Sequence, residues 1–180
     1  MKHLALVLIL GAAALAQPTI DNERVVVWDK GGPATATMDT VRIDFAGKAE
    51  VIGKGKKLPP AELGKSVLIE LRDNKVAPLA NTTKYPNAFP RPNVKKVLEN
   101  DRVLVWNYTW TPGVPTPMHF HDKDVVVIYM ETGALKSTTP TGEETVNDLT
   151  PGMIRFNKRD RVHTEVLARG KSHAMMMELK

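Results

Sequence analysis

At 180 residues, with a formal net charge of +5 and no cysteine, the chain has the size of one well-buried domain or of two small repeats sharing a core. The missing cysteines exclude a disulfide framework, a thiolate metal site and a cysteine-linked lipid anchor. The mild basicity gathers in two turn-like runs, GKGKK at 53–57 and KRDR at 158–161. Neither carries the interleaved aromatic residues of a single-strand platform, so nucleic acid is not an expected partner.

The chain starts MKHLALVLILGAAALA, with a basic start, an apolar run over 4–14 and small residues at Ala14 and Ala16. That is the pattern of a secretory signal peptide, residues 1–16, cleaved after Ala16. Its apolar run falls short of the roughly 20 residues a membrane span needs, so no stable membrane insertion is expected. The mature protein is therefore read as exported, periplasmic or extracellular, with one lysine fewer and a net charge of +4.

Residues 17–75 read as a first β repeat. NERVVVW at 22–28 returns as NDRVLVW at 100–106, and VLIEL at 67–71 returns as MMMEL at 175–179, in the same order. Between them each copy has an aspartate, an apolar strand and a glycine turn: DTVRIDFAG at 39–47 and DVVVIYMETG at 124–133. A degenerate duplication accounts for both echoes. The first copy has no histidine, which leaves it to supply strands or a dimer face.

Residues 76–98 follow as a linker, with prolines at 78, 86, 90 and 92 that favour an extended, semi-rigid path. The stretch 94–100 at its end reads as one helical turn or an edge strand. In the second repeat, 99–180, the period is two from Val103. Val103, Val105, Asn107 and Thr109 share one face, and Leu104, Trp106, Tyr108 and Trp110 share the other. A loop stiffened by Pro112, Pro115 and Pro117 leads into His119. On a strand His119 and His121 point the same way and Phe120 the opposite way, and His163 joins them if its strand is a neighbour. DVVVIYM at 124–130 is nearly continuous in apolar residues, as in a strand buried on both faces. Helix signals are scarce, so the class is all-β.

Gly113, five residues, His119-x-His121 and Gly133 resemble the first motif of the cupin superfamily, and Gly152, ten residues and His163 resemble the second. The resemblance implies a double-stranded β-helix, or jelly-roll, barrel over 99–180, with the degenerate β repeat ahead of it. It also implies a divalent transition metal (Fe, Zn, Mn or Cu) held by His119, His121 and His163, a small-molecule ligand, and a homodimer paired through an edge sheet. Two features depart from the family. Val125 and Val126 stand where it places a glutamate ligand, with Asp124 one residue early, and Lys158-Arg159-Asp160 replaces a Pro-x-Gly turn.

Glu165, two residues past His163, shares its strand face and stands as a substitute ligand, a catalytic base or a support to the ligands; the plainer reading is a surface acid paired with a lysine. Trp106, Tyr108 and Phe120 are candidates for the substrate pocket, or ordinary core. His173 is read as peripheral, and Met175 to Met177 as core filling rather than a copper site. Two functions follow: a metal-dependent enzyme acting on a small organic molecule, dioxygenase-like or isomerase/lyase-like, or a non-catalytic jelly-roll module that binds a small molecule and has lost its metal. An open pocket at the convergence of the histidines separates the first from the second.

Overall fold

The computed structural model describes residues 16–180, and the expected leader lies outside the described residues except for its last position. All regular structure in it is β strand, and no helix long and apolar enough to cross a membrane occurs among the described residues. In chain order the strands are β1 (Ile20–Asp21), β2 (Val25–Trp28), β3 (Thr40–Asp44), β4 (Ala49–Ile52), β5 (Ser66–Leu71), β6 (Val94–Glu99) and β7 (Val103–Thr109). They continue as β8 (His119–His121), β9 (Asp124–Tyr129), β10 (Gly133–Thr138), β11 (Glu144–Leu149), β12 (Ile154–Asn157), β13 (Arg161–Gly170) and β14 (His173–Leu179).

Three antiparallel sheets result. An amino-terminal sheet runs β1-β2-β5-β3-β4, a back sheet β6-β7-β14-β9-β12, and a front sheet β11-β10-β13-β8. The back and front sheets face each other as a jelly-roll barrel. Residues 94–99 are strand, not helix: β6 is the edge of the back sheet against β7.

The back sheet is the middle layer, which explains why its strands are apolar on both faces. Val125, Val127 and Tyr129 of β9 pack into the barrel with Trp106, Tyr108 and Met176. The alternate residues Val126 and Ile128, with Val103, Val105, Met175, Met177 and Leu179, pack outward against the amino-terminal sheet. That sheet meets them with Val25, Val27, Val41, Ile43, Val67, Ile69 and Leu71. Each such side chain, taken fully out of water, contributes about 1.5–3 kcal/mol.

The two apolar faces correspond residue by residue. Val25 and Val27 lie opposite Leu71 and Ile69 in the amino-terminal sheet, as Val103 and Val105 lie opposite Leu179 and Met177 in the back sheet. The Asn22 side-chain oxygen accepts from the amides of Arg24 and Val25 at 2.9 and 3.0 Å, and that of Asn100 accepts from Arg102 and Val103, both at 2.8 Å. Trp28 Nε1 donates to Glu70 at 3.4 Å as Trp106 Nε1 donates to Glu178 at 2.7 Å. Contacts between the sheets are reciprocal: Arg24 Nη2 donates to the Lys180 carbonyl at 3.4 Å, and Arg102 Nη2 to the Arg72 carbonyl at 2.7 Å. A buried ion pair, Arg24 to Asp124 at 2.6 Å, completes the contact.

The proline-rich stretch before β6 does not simply span a gap. Its residues 86–88 run beside β8, with Phe120 N donating to the Pro86 carbonyl at 2.8 Å and Ala88 N to the Phe120 carbonyl at 2.7 Å. Ala88 and Phe89 are buried with the barrel aromatics, and Phe89 stacks on Trp106 with ring centroids 5.4 Å apart.

Candidate metal centre

Strands β8 and β13 place the three histidines. They pair antiparallel with His119 directly opposite His163 and His121 opposite Arg161. Side chains directly opposite on one face stand about 5 Å apart at Cβ, and the period of two puts Arg161, His163, Glu165 and Leu167 on the inward face of β13. The turn that feeds β13 uses Asp160 at φ +65°, a left-handed conformation that aspartate tolerates better than most residues. A KRD turn therefore serves where the family pattern has glycine.

The imidazoles converge through their Nε2 atoms. His119 Nε2 lies 3.2 Å from His121 Nε2, which lies 3.0 Å from His163 Nε2. All three donor atoms fall within 4.8 Å of one another. Ligand nitrogens about 2.0–2.1 Å from a metal and roughly 90–110° apart have edges of about 2.9–3.4 Å, so the two measured edges fit a common ion.

The protonation chemistry points the same way. His119 Nδ1 donates to the Pro117 carbonyl at 2.8 Å, which leaves its Nε2 as a bare lone pair. His163 Nδ1 lies 3.0 Å from the Ser137 hydroxyl. Burial, then the charge of Arg91, holds His119 down to about 4. Burial, then Arg161, holds His163 down to about 4, and burial holds His121 well below its ordinary value. At neutral pH all three rings are uncharged; His119 turns a lone pair to the centre, and the contacts of 3.0–3.2 Å are bridged by a proton on His121 Nε2 or by a shared cation. The donor set fits a divalent transition metal, whose nitrogen ligands are neutral imidazoles. His121 Nδ1 is buried without a partner, so one ring lacks the outer hydrogen bond that usually orients such a ligand.

A cavity of about 270 Å³ opens between the sheets and ends at His163. Its wall includes Ser137, Thr145, Asn147, Arg155, Asn157 and Arg161, together with Tyr129 and Glu165. A narrower inner extension reaches His121, Val125, Val127, Met176 and Arg91. Thr145 at the rim is exposed and His121 is buried, so the cavity connects solvent to the imidazoles.

The sequence candidates take distinct places. Glu165 lines the cavity beside His163 but is not one of the clustered donors. Trp106 and Tyr108 lie in the barrel core, and Phe120, 3 % exposed, points away from the histidines; none of the three lines the cavity. Asp124 is not a ligand: it is engaged by Arg24 and by the Arg159 amide at 2.9 Å. His173 bonds the Asn107 side chain at 2.9 Å, away from the other three histidines.

Arg91, from the proline-rich stretch, was not a sequence candidate. Its guanidinium lies 4.1 Å from the Tyr108 ring centroid and 4.8 Å from that of Phe89. Its Nη1 is 3.5 Å from His119 Nε2. The apolar pair Ala88-Phe89, set between Pro86 and Pro90, was the available signal that this stretch docks.

Fold and site together define a jelly roll of cupin type with a three-histidine centre. No protein-family model matches the chain, and no curated protein matches its sequence. Among solved structures 83 chains match. A cupin domain from Bordetella pertussis Tohama I is 28 % identical, with a TM-score of 0.46, covering 54 % of this chain and 98 % of that one. A cupin 2 conserved barrel domain protein from Leptotrichia buccalis is 14 % identical, with a TM-score of 0.49, covering 96 % of this chain and 92 % of that one. The polyketide cyclase RemF from Streptomyces resistomycificus is 19 % identical, with a TM-score of 0.41, covering 60 % of this chain and 78 % of that one.

Proposed function

We propose that this is an exported, metal-dependent enzyme of cupin type that binds one divalent transition metal through His119, His121 and His163 and transforms a small organic molecule in the adjoining cavity. The observation that carries the proposal is the convergence of three neutral Nε2 atoms at the inner end of a cavity that reaches solvent. A sealed, packed barrel would favour a non-catalytic module; a cavity of about 270 Å³ ending at the donor set favours turnover.

A bound metal supplies Lewis acidity, or redox chemistry toward dioxygen if it is iron or copper. The chain supplies the rest. Pro117 holds the His119 tautomer, and Ser137 holds the ring of His163. Hydroxyl and amide groups of Ser137, Thr145, Asn147 and Asn157 orient a polar substrate. Glu165 has the carboxylate that takes a proton from it, a step that oxygenase-like and isomerase- or lyase-like reactions both use. The amino-terminal sheet covers the outer face of the back sheet, so a homodimer would pair through another surface.

The test is elemental analysis of protein purified without chelator, beside a His119→Ala/His121→Ala variant. One equivalent of transition metal in the wild type and none in the variant is the expected result. Wild type that takes up no iron, zinc, manganese or copper on reconstitution would overturn the proposal. Oxygen-uptake assays on the loaded protein then separate the two reaction classes.

A further inference from the structure

We infer that the cavity carries an anion subsite, formed by Arg91 and Arg161 beside the three imidazoles, and that the substrate is a small hydroxylated organic carboxylate. The inference deepens the metal-dependent reading above and rests on it for the word substrate; the subsite itself stands on the arginines.

The charge balance of the cavity is lopsided. Arg91, Arg155 and Arg161 reach its walls, and Glu165 is its only carboxylate. Where the family resemblance places a glutamate ligand, the buried side chain of Val125 lines the inner cavity instead. Three neutral imidazoles leave the charge of a divalent ion uncompensated, so a loaded site is more positive still. Glu165 offsets part of this charge at both Arg91 and Arg161, and an anionic ligand would supply the rest.

Arg91 is the most telling residue. It is half-buried among Phe89, Tyr108 and Trp110, which offer their ring faces. Its nearest polar atoms are His119 Nε2 at 3.5 Å and Met176 Sδ at 3.7 Å, and its Nε has no partner. Among the described residues no carboxylate lies within ion-pair distance of Arg91 or of Arg161. Ring faces offset part of the desolvation of a half-buried guanidinium, and its fork keeps hydrogen-bonding capacity that no carboxylate in contact uses. Arg161 spends only its Nε, which donates to the Lys158 carbonyl at 2.7 Å, and keeps its fork for a ligand. A planar guanidinium fork matches a carboxylate in two parallel hydrogen bonds.

The remaining wall defines the body of the ligand. Ser137, Thr145, Asn147 and Asn157 offer hydroxyls and amides rather than an apolar slot. The outer cavity of about 270 Å³ takes the hydroxylated body, and the inner extension that Arg91 lines, about 20 Å³, admits only the end of a carboxylate.

The experiment compares gluconate with sorbitol, its neutral polyol counterpart, by isothermal titration calorimetry. It uses chelator-treated and zinc-loaded wild type, Arg91→Met, Arg161→Met and Arg91→Lys, each checked for its circular dichroism and thermal midpoint. Gluconate should bind wild type in both states, tighter with zinc, and sorbitol at least tenfold more weakly. Arg161→Met and Arg91→Met should each weaken gluconate at least tenfold without changing zinc content, and Arg91→Lys should retain part of the affinity. Equal binding of sorbitol and gluconate, or arginine variants that bind gluconate unchanged, would overturn the subsite whether or not zinc binds. Gluconate bound through the arginines in a wild type that takes up no metal would uphold the subsite and remove the metalloenzyme reading, so the two failures are told apart.

Discussion

The Ser137 hydroxyl is the one side chain in contact with the outer nitrogen of a candidate ligand, and its removal is the sharpest probe of the site. His163 Nδ1 has Ser137 Oγ at 3.0 Å, His119 Nδ1 uses a backbone carbonyl that no substitution removes, and His121 Nδ1 has nothing. Ser137→Ala therefore leaves two of the three rings without an outer partner. If the hydroxyl accepts from Nδ1–H, it fixes the tautomer whose Nε2 lone pair faces the metal. Losing such a partner lowers metal affinity by about 10–100-fold, or about 1.4–2.7 kcal/mol. The assay is competition for zinc against a fluorescent chelator at pH 7.5, with Thr138→Ala, the neighbour on the opposite strand face, as control. Ser137→Ala should fall in that range while its thermal midpoint stays close to wild type. An unchanged or raised affinity would show that the hydroxyl donates to Nδ1 and favours the wrong tautomer, and the support assigned to it would be refuted.

Three further outcomes follow from the framework. Glu178 is 2 % exposed, and burial raises its pKa despite the bond from Trp106; the unfolded carboxyl ionises first, so stability falls as pH climbs above about 4.5 and levels off past the folded value. Glu178→Gln, which keeps an acceptor for Trp106, should lose that slope, and urea titrations at pH 4.5 and 7.5 check it. Arg24→Ala strands Asp124 in a buried contact and should cost about 3–5 kcal/mol in the same assay, against less than about 1 kcal/mol for Asp21→Ala in the exposed pair with Arg72. Gly133 has no room for a side chain, since a Cβ there would lie 2.2 Å from the Lys171 carbonyl oxygen. Gly133→Ala should cost about 1–3 kcal/mol and lower the melting midpoint.

The histidine set was legible in the sequence because a strand period of two needs only three residues, and because the glycine and histidine spacings carry the register of two neighbouring strands. The all-β class was legible for the same local reason. The cavity wall was not. Several of its polar members sit on β11 and β12, where Asn147, Arg155 and Asn157 look like ordinary solvent-facing residues until the barrel closes. Aromatic bulk made Trp106 and Tyr108 look like pocket residues, yet they fill the barrel core. Arg91 escaped notice because its placement depends on residues 86–88 docking against Phe120, a contact more than thirty positions away that prolines in the local sequence conceal. Asp124 could not be told from a ligand without its partner, which lies a hundred positions earlier.

The matched faces of the amino-terminal and back sheets have a consequence for how the barrel survives. Two separate chains meeting through such faces would part on dilution, whereas here the partner face arrives on the same polypeptide. The stretch between β5 and β6 turns docking into an intramolecular event at an effective concentration on the order of millimolar. The middle layer stays dry however scarce the protein becomes. The covering sheet needs only its apolar face and its reciprocal arginine contacts to do this, which leaves it under no requirement to carry histidines of its own.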